Sequence, residues 1–532
     1  MTDAAWTSHT DTFVRDRLPP PQAQPAFLFE LDEVRYPEAL NCGVELIDRA
    51  VERGWGGRNA ILTEDGAWTY ADLKQASDRY ARVLVEDLGL VPGGRVLLRA
   101  PNSAELTALW LAVLKAGGVV VTTMPLLRQA ELEPVIDKGR IDLAVTSDAL
   151  AEDLERCRDG RPELRVLTWS ALDRHAADKP AGFDAVRTHR DDPCMLAFTS
   201  GTTGQPKACI HFHRDVLAMA DTFARFVLKP GIDDVFAATP PIAFTFGLGG
   251  AVVFPLRFGC ATSFPRPGVQ ALLDHIARHR VSVLFTAPTS YRQMLATPDW
   301  PDLSSLSKCV SAGEHLPQAT SDAWFARTGI RCIDGIGATE MIHIFISAEG
   351  ADIRPGSTGR PVPGYRAAIL DEEGRELADG EVGRLAIRGP TGCRYLDDER
   401  QGRYVQHGWN LTGDTYRRDE DGYYWFVARS DDMIISSGYN IAAPEVESAI
   451  LAHPDVVECA VVGLPDPDRG SLVKAFVVTR DRPADEAAWI RALQDFVKAR
   501  IAPYKYPRAV ELVEELPKTA TGKLQRFRLK QP

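Results

Sequence analysis

One run of glycine and hydroxyl-bearing residues has the composition of a loop that folds around phosphate groups. It reads Thr199-Ser-Gly-Thr-Thr-Gly-Gln-Pro-Lys207 and follows an apolar, strand-like stretch at residues 195–198. Glycine lets the backbone approach a ligand closely, and N–H and O–H groups donate hydrogen bonds to phosphate oxygens. The spacing differs from the Walker pattern G-x-x-x-x-G-K-[ST], because Lys207 lies three residues beyond Gly204. The run predicts a phosphate loop of another kind, and a plain Ser/Thr turn is the alternative.

Alternating helix and strand patterns are predicted to position this loop. Residues 102–116 have the pattern of a helix that stops at two glycines, and residues 119–123 that of a buried strand. The same alternation returns as a helix at residues 275–280 and a strand at 281–286. It favours largely parallel sheets covered by helices. Between residues 369 and 425, short β runs separated by turn signals predict a small antiparallel or barrel-like region.

Composition limits the class of protein. The 532 residues carry 61 Lys and Arg against 73 Asp and Glu, a formal charge of −12, and 45% are hydrophobic. Such a chain can bury a core, and its acidity disfavours nucleic acid or a membrane surface as partner. The nine cysteines are scattered without a C-x-x-C pair. This pattern, with no apolar leader or span in the sequence, predicts a cytoplasmic protein with reduced thiols.

Six further motifs follow the phosphate loop in the order found in the adenylate-forming superfamily. The chain therefore resembles acyl-CoA synthetases, peptide-synthetase adenylation domains and luciferases. The segment TEMIHIF and the N-terminal segments LPPPQAQPAFLFEL and RYPEALNC are most similar to the benzoate and 2-aminobenzoate-CoA ligase branch. The six motifs are Ser311-Ala-Gly-Glu314, Gly335-Ile-Gly-Ala-Thr-Glu-Met341, Gly356-Ser-Thr-Gly-Arg-Pro361, Thr412-Gly-Asp414 with Arg429, DDMIISSGYN at 431–440, and Pro517-Lys-Thr-Ala-Thr-Gly-Lys523.

The resemblance implies an α/β fold class with two domains. Residues 1–430 would form a large N-terminal domain of parallel-rich sheets packed with helices, with a β-barrel-like subdomain, that binds substrate and ATP. Residues 431–532 would form a small, mobile α+β C-terminal lid domain, with Asp431 as the hinge.

The resemblance also assigns a nucleotide site. Glu340 would hold Mg²⁺, because one carboxylate plus the ligand's phosphates is a common way to bind this ion. Asp414 would accept hydrogen bonds from both ribose hydroxyls, and Arg429 would donate beside it. Outside these motifs, a surface Glu and a turn Asp are the simpler interpretations. The ATP- and AMP-binding residues implied are Thr199, Ser200, Gly201, Thr202, Thr203, Gly204, Lys207, Ala312, Gly313, Glu314, Asp334, Gly335, Ile336, Gly337, Asp414 and Arg429.

The implied reaction has two steps. A carboxylate and Mg-ATP give an acyl-AMP and pyrophosphate, and the thiolate of coenzyme A then displaces AMP. Lys523 would lower the barrier of the first step electrostatically, with Thr339 and Glu340 as the other catalytic residues; the alternative for Lys523 is a solvated tail lysine. Rotation of the C-terminal domain would remove Lys523 for the second step. The coenzyme A-binding residues implied are Phe244, Ser436, Ser437 and Gly438.

An aromatic acid is the predicted substrate. Peptide-synthetase domains hold an amino acid through an Asp at the position of the segment PIAFTFG, residues 241–247, which has no carboxylate. His343 could hydrogen-bond the carboxylate or a ring substituent. The alternative is a core histidine whose hydrogen bonds are made within the protein. The resemblance favours 2-aminobenzoate (anthranilate) over benzoate. The predicted acyl pocket consists of Ala243, Phe244, Tyr291, Gly335, Ile336, Gly337, Ile342 and His343.

Several alternatives stay open. The acid could be benzoate or a hydroxybenzoate, and the enzyme could load its aryl group onto an acyl carrier protein instead of coenzyme A. A dehydrogenase is disfavoured, because Gly247-Leu-Gly249 lacks the third glycine of a dinucleotide fingerprint. A non-catalytic binding protein on this fold is disfavoured, because the phosphate loop and Lys523 are both present.

Overall fold

The computed structural model describes residues 6–199, 206–429, 433–436, 439–466, 470–501, 503–518 and 524–530. Its strands up to residue 361 are β1 (Asn59–Thr63), β2 (Gly66–Thr69), β3 (Arg95–Arg99), β4 (Val119–Thr123), β5 (Leu143–Thr146), β6 (Arg165–Thr168), β7 (Pro193–Thr199), β8 (Lys207–Phe212), β9 (Val235–Ala238), β10 (Ala261–Ser263), β11 (Val283–Thr286), β12 (Lys308–Ser311), β13 (Cys332–Gly337), β14 (Ile344–Ser347) and β15 (Arg360–Pro361).

The helices accompany these strands along the chain. The α-helices are α1 (Tyr70–Arg82), α2 (Ala104–Lys115), α3 (Gln129–Gly139), α4 (Ala151–Arg156), α5 (Trp169–Ala177), α6 (His213–Met219), α7 (Thr245–Leu248), α8 (Phe254–Phe258), α9 (Val269–His279), α10 (Pro288–Ala296), α11 (Gln318–Thr328), α12 (Gln401–Tyr404), α13 (Ala443–Leu451), α14 (Glu486–Lys498) and α15 (Arg526–Leu529). Wider π-type turns occupy Val44–Asp48, Val51–Trp55, Val83–Asp87, Ala220–Leu228 and Gly249–Val253. Short 3₁₀ turns occupy Arg15–Arg17, Pro21–Ala23, Asp32–Val34, Asp148–Leu150, Thr339–Met341, Gly350–Asp352 and Pro503–Lys505.

A six-stranded sheet with the order β6-β5-β3-β4-β7-β8 carries the phosphate-loop segment. All its pairs are parallel except β7 with β8. β3 and β4 are buried along their whole length, as expected for strands covered on both faces. The predicted helix at 102–116 is confirmed as α2, whose start is capped by the Ser103 side chain accepting from the Leu106 N–H.

A nine-stranded sheet has the order β15-β14-β13-β12-β11-β9-β10-β1-β2. Its centre is parallel from β1 to β13, and antiparallel strands lie at both edges. The strand predicted at 281–286 is confirmed as β11, and the helix predicted at 275–280 is the end of α9. The parallel-rich α/β architecture is confirmed.

The predicted β-rich region after residue 369 forms an antiparallel sheet of five strands. These strands are β16 (Arg366–Leu370), β17 (Val382–Arg388), β18 (Val405–Gln406), β19 (Trp409–Arg418) and β20 (Tyr424–Arg429). Their order is β16-β17-β19-β18, and β20 also pairs with β19. The long β19 therefore organises this subdomain.

The C-terminal part is a smaller α+β unit with its own core. Its strands are β21 (Met433–Ser436), β22 (Tyr439–Ala442), β23 (Val456–Asp466), β24 (Gly470–Thr479) and β25 (Ala509–Leu512). Buried Ile441, Val446, Val461, Val477 and Leu493 belong to one apolar cluster between the strands, α13 and α14. The proposed boundary at residues 430 and 431 lies outside the described residues and stays a prediction. Within the described ranges, no helix is long and apolar enough to cross a membrane.

Candidate active site

The segments flanking the phosphate loop are the two strands of a β-hairpin. β7 and β8 pair in an antiparallel register that sets Thr199 opposite Lys207 at the base of the loop. The Thr199 hydroxyl is buried and has no hydrogen-bonding partner among the described residues, so it can bind a ligand group. A Walker loop instead connects a strand to a helix, which explains why the Walker spacing fails here. The predicted residues Ser200, Gly201, Thr202, Thr203 and Gly204 lie outside the described residues.

Lys207, Glu340 and Tyr395 form a compact polar cluster beside this hairpin. The Tyr395 hydroxyl donates to Glu340 Oε1 at 2.5 Å, and Lys207 Nζ donates to the Tyr395 hydroxyl at 2.8 Å and to the same Oε1 at 3.3 Å. Glu340 is only 8% exposed, so its hydrogen bonds to these two partners replace those that it would make to water. Burial and the Glu340 carboxylate raise the pKa of Tyr395 well above its ordinary value, so this tyrosine stays a proton donor.

The Glu340 carboxylate fits a magnesium site. Both of its contacts above fall on Oε1, which leaves Oε2 as the oxygen that would coordinate the ion without breaking either bond. Magnesium typically binds through one or two carboxylates and the phosphates of its substrate. A cation here would lie beside the phosphate-loop hairpin, where the chemistry requires it.

A strained backbone turn separates Glu340 from the predicted acyl pocket. Glu340 lies in the 3₁₀ turn Thr339–Met341, and Ile342 follows with φ of 67° and ψ of −35°. A β-branched residue is disfavoured at positive φ, and such positions cost on the order of 1–3 kcal/mol. This turn directs Glu340 towards Lys207, while His343 enters an apolar cluster.

Four phenylalanine rings surround His343. Ring centroids of Phe254, Phe223, Phe246 and Phe285 lie 4.7, 5.4, 5.8 and 6.4 Å from the His343 ring. Burial lowers the pKa of His343 to about 3, so its imidazole is neutral at physiological pH. Neither ring nitrogen makes a hydrogen bond of normal geometry within the part of the chain that the structure describes, although the nearby Phe246 backbone partly offsets the effect of burial on the pKa. A neutral imidazole offers one donor and one acceptor to a ligand.

Close strand packing accounts for two glycines of the predicted pocket. A Cβ on Gly335 would lie 2.7 Å from Ile344 Cγ2, and one on Gly337 would lie 2.8 Å from the carbonyl carbon of His343. These positions allow β14 to fold back against β13, with Ile336 between them and the buried Ile342 in the connection. The glycines therefore position His343 as well as bordering the site.

Of the remaining pocket residues, two lie near the phenylalanine cluster and one lies apart. Ala243 and Phe244 are half-buried and immediately precede α7, the helix that supplies Phe246. Tyr291 is fully buried in a different apolar cluster, packs against Trp324 at 4.7 Å and donates its hydroxyl to the Val310 carbonyl. The structure therefore does not bring Tyr291 together with His343.

The predicted ribose-binding pair meets across two strands. Asp414 on β19 and Arg429 on β20 are register partners, with Arg429 Nε 3.7 Å from Asp414 Oδ1. Asp414 is 9% exposed and Arg429 is exposed. A carboxylate acceptor beside a fixed guanidinium donor is suited to a ribose diol.

Several of the predicted ATP- and AMP-binding residues lie at or just beyond the paired ends of two adjacent parallel strands. Ser311 at the end of β12 is the register partner of Asp334 on β13, so the segment 312–314 leaves the sheet beside the point where Gly335 continues β13. Burial raises the pKa of Asp334 to about 7. Glu314 accepts a hydrogen bond from the Thr289 hydroxyl at 2.8 Å, so its carboxylate is already engaged by the protein. Ala312 is buried at this edge, and Gly313 adopts φ of 89°, a conformation that glycine tolerates.

The comparisons with known proteins agree with this arrangement. The sequence pattern of AMP-binding enzymes matches residues 47–394, and that of the AMP-binding enzyme C-terminal domain matches residues 445–523. The chain belongs to the AMP-binding enzyme family. Its predicted membership of the adenylate-forming superfamily is thereby confirmed.

Two relatives of this AMP-binding enzyme are named benzoate-CoA ligases. The benzoate–CoA ligase of Thauera aromatica is 36% identical, over 93% of this chain and 97% of its own length. A structure of a benzoate CoA ligase from Burkholderia xenovorans LB400 superposes with a TM-score of 0.85 at 32% identity, covering 92% of this chain and 100% of that one.

A third relative was solved with an adenylate bound. The anthranilate CoA ligase AuaEII in complex with anthranoyl-AMP superposes with a TM-score of 0.89 at 35% identity, over 94% of this chain and 98% of that one. The resemblance to the benzoate and 2-aminobenzoate branch is confirmed. So is the expectation that this AMP-binding enzyme is an ATP-dependent, AMP-forming acid–thiol ligase.

Tyr395 is the site residue that sequence reasoning missed. Residues 394–396 run antiparallel to β8: the Ile210 N–H donates to the Arg394 carbonyl and the Leu396 N–H to the Ala208 carbonyl. This pairing places Tyr395 next to Lys207. The contact is between residues 188 positions apart, and the only local signal was a tyrosine after the Gly-Pro-Thr-Gly turn at 389–392.

Most of the residues predicted for the hinge, for coenzyme A binding and for the C-terminal lysine loop lie outside the described residues. Ser436 is buried at the end of β21. Asp431, Ser437, Gly438 and Lys523 lie outside the described residues, so their roles as hinge, coenzyme A-binding and catalytic residues stay predictions.

Proposed function

We propose that this AMP-binding enzyme is an aryl-CoA ligase that converts an aromatic carboxylate, with 2-aminobenzoate preferred, to its coenzyme A thioester. The observation that supports this most is the neutral, buried His343 among four phenylalanine rings, one strained turn away from Glu340. Flat apolar walls suit a planar ring. A polar atom among them gives such a pocket its preference between ring substituents.

The polar cluster would prepare the nucleotide for attack. Lys207 offers an ammonium to the phosphates, and Tyr395 holds the Glu340 carboxylate in place by a short hydrogen bond. Mg²⁺ at Glu340 would neutralise phosphate charge as the substrate carboxylate approaches. A preorganised group of this kind stabilises charge where it develops, without reorganisation during the reaction.

The acyl transfer then proceeds in two balanced steps. A carboxylate oxygen attacks the α-phosphorus and pyrophosphate leaves; the thiolate of coenzyme A next attacks the acyl carbon and AMP leaves. ATP and coenzyme A are substrates of the CoA ligases to which this chain is similar. Lys523 would be needed in the first step and would be removed by the lid domain for the second.

His343 provides a physical basis for preferring an amino-substituted ring. Its neutral imidazole has an acceptor nitrogen that can receive an N–H of the ring amine. A neutral hydrogen bond contributes about 0.5–1.5 kcal/mol, which corresponds to roughly 2- to 10-fold in relative kcat/KM. Benzoate has no such donor. A hydroxybenzoate has an O–H donor instead of an N–H donor, with a different hydrogen-bond length. The relative solved with anthranoyl-AMP supports the same choice.

A substrate panel tests this function. Pyrophosphate release and coenzyme A-dependent AMP release would be measured with benzoate, 2-aminobenzoate, hydroxybenzoates, long-chain fatty acids and acetate. We expect aryl acids to be used and 2-aminobenzoate to have the highest kcat/KM. In His343→Leu, the advantage of 2-aminobenzoate over benzoate should shrink while benzoate is still used. A preference for long aliphatic acids would refute the aryl assignment.

The acceptor is tested separately. Coenzyme A and a phosphopantetheine-loaded carrier protein would be offered to enzyme supplied with the best acid. We expect thioester formation with coenzyme A. Transfer to the carrier protein alone would replace the CoA ligase assignment by that of an aryl-loading enzyme.

A further inference from the structure

Two cysteines and one histidine converge in the core, apart from the nucleotide site. The ligand atoms of Cys42, Cys194 and His213 all lie within 4.8 Å of one another. Each of these residues is 0% exposed. The predicted reaction uses none of them.

Three separate segments bring these side chains together. Cys42 is the first residue of a helical segment whose start is capped by Asn41, with Oδ1 accepting from the Gly43 N–H at 3.0 Å. Cys194 lies in β7 at the register shift between Pro193 and Met195, and His213 is the first residue of α6 directly after β8. Cys194 precedes Thr199 by five residues, or about 17 Å of strand, so the cluster lies at the end of the hairpin opposite the phosphate loop.

Two of the three donor atoms already lie in contact with each other. His213 Nδ1 accepts the Cys42 N–H at 3.2 Å and lies 3.1 Å from Cys42 Sγ, so its lone pair faces Cys42 and would exchange this hydrogen bond for the metal. A thiolate in an apolar core is costly unless a cation compensates it.

We propose that Cys42, Cys194 and His213 form a buried binding site for a thiophilic divalent cation, zinc foremost, through two Sγ atoms and Nδ1. Two thiolates and one imidazole are a known three-residue zinc donor set that leaves the fourth coordination position to a water molecule, and soft sulfur ligands disfavour Mg²⁺ and Ca²⁺. Complete burial favours a metal over a redox role, because reactive cysteines are partly exposed. The ion would be captured during folding and would join residues 171 positions apart.

Metal analysis of the full-length enzyme tests this site. Protein would be unfolded in chelator, refolded with zinc or with cobalt, and passed through a chelating column. We expect about one tightly held ion per chain, a thiolate-to-cobalt charge-transfer absorption in the cobalt form, and a higher melting temperature than for protein refolded without metal. Refolded protein that holds no zinc and shows no charge-transfer band would overturn the proposal.

Matched cysteine variants assign the ion to this cluster. Cys42→Ser and Cys194→Ser should each lose the bound ion and the melting-temperature difference. Cys309→Ala is the control: Cys309 and Cys332 are also buried neighbours, on adjacent strands β12 and β13, yet they belong to a different core cluster. Retention of zinc in a variant that carries both Cys42→Ser and Cys194→Ser would overturn the proposal. Loss of zinc in the single variant Cys309→Ala would overturn it as well. Because the readouts are metal content and absorption, the result is independent of catalysis.

Discussion

Removal of one hydroxyl tests whether the polar cluster at Glu340 positions the adenylation machinery. Tyr395→Phe deletes the donor that lies 2.5 Å from Glu340 Oε1 and the acceptor that lies 2.8 Å from Lys207 Nζ. The ring itself remains, with Lys207 4.9 Å from its centroid. Hydrogen bonds to charged groups contribute about 1.5–3 kcal/mol. Because 1.36 kcal/mol corresponds to a factor of ten, we expect kcat for adenylation to fall roughly 10- to 150-fold.

The assay is pyrophosphate release with a saturating aryl acid and varied Mg-ATP, compared with thioester formation from preformed acyl-AMP. A positioning role predicts loss in the first half-reaction, with a raised magnesium requirement, and little change in the second. Tyr404→Phe is the matched control: its ring packs 6.0 Å from that of Tyr395, and its buried hydroxyl has no hydrogen-bonding partner among the described residues. Equal loss in both half-reactions, or an equal effect of Tyr404→Phe, would refute the reasoning.

Three further predictions concern other parts of the site. Lys523→Ala should lower the adenylation rate by roughly 10²–10³, the cost of removing one preorganised donor, and leave thioester formation from acyl-AMP nearly intact; pyrophosphate release and thioester assays separate the two. The unfolded chain binds a proton at His343 below pH 6.5, whereas the pKa of His343 in the folded protein is about 3. The free energy of unfolding of the wild type should therefore decrease as the pH drops from 6.5 towards 3. The melting temperature of His343→Leu should fall less over the same range, and parallel curves would contradict the burial argument. Gly249→Ala would place a Cβ 2.5 Å from His343 Nε2 and should reduce kcat/KM for aryl acids, whereas Gly402→Ala, with open space around its Cβ, should not.

Much of the fold could be predicted because local patterns and tertiary structure agree. The helix at α2 has a Ser103 cap and two terminal glycines, and β4 begins with three consecutive valines, as expected for a strand buried on both faces. Which strands become neighbours could not be read locally: β7 pairs with β4, although two strands, β5 and β6, lie between them along the chain. That order is set by how the helices pack on both faces of the sheet, which no single segment encodes.

The site was predictable only where its chemistry is contained in one short segment. The strands at Thr199 and Lys207, and the pair Asp414 and Arg429, are brought together as the motifs imply. Tyr395 escaped notice because its partner Lys207 comes from a distant strand. Tyr291 was assigned to the acyl pocket, but its helix α10 packs in a separate apolar cluster that contains Leu284 of β11 and Trp324 of α11.

The strained turn at Ile342 links the two halves of the proposed reaction. In the proposed reaction the acid places its carboxylate at the α-phosphate, so the ring recognition proposed for His343 and the phosphate chemistry proposed for Glu340 would occur close together. A regular strand through residues 340–343 would advance about 3.3 Å per residue and alternate its side chains between two faces. The left-handed Ile342 instead reverses the chain, so that Glu340 reaches Lys207 while His343 is buried among phenylalanines. Since an isoleucine is sterically opposed to this conformation, the packing around its fully buried side chain must compensate for the strain.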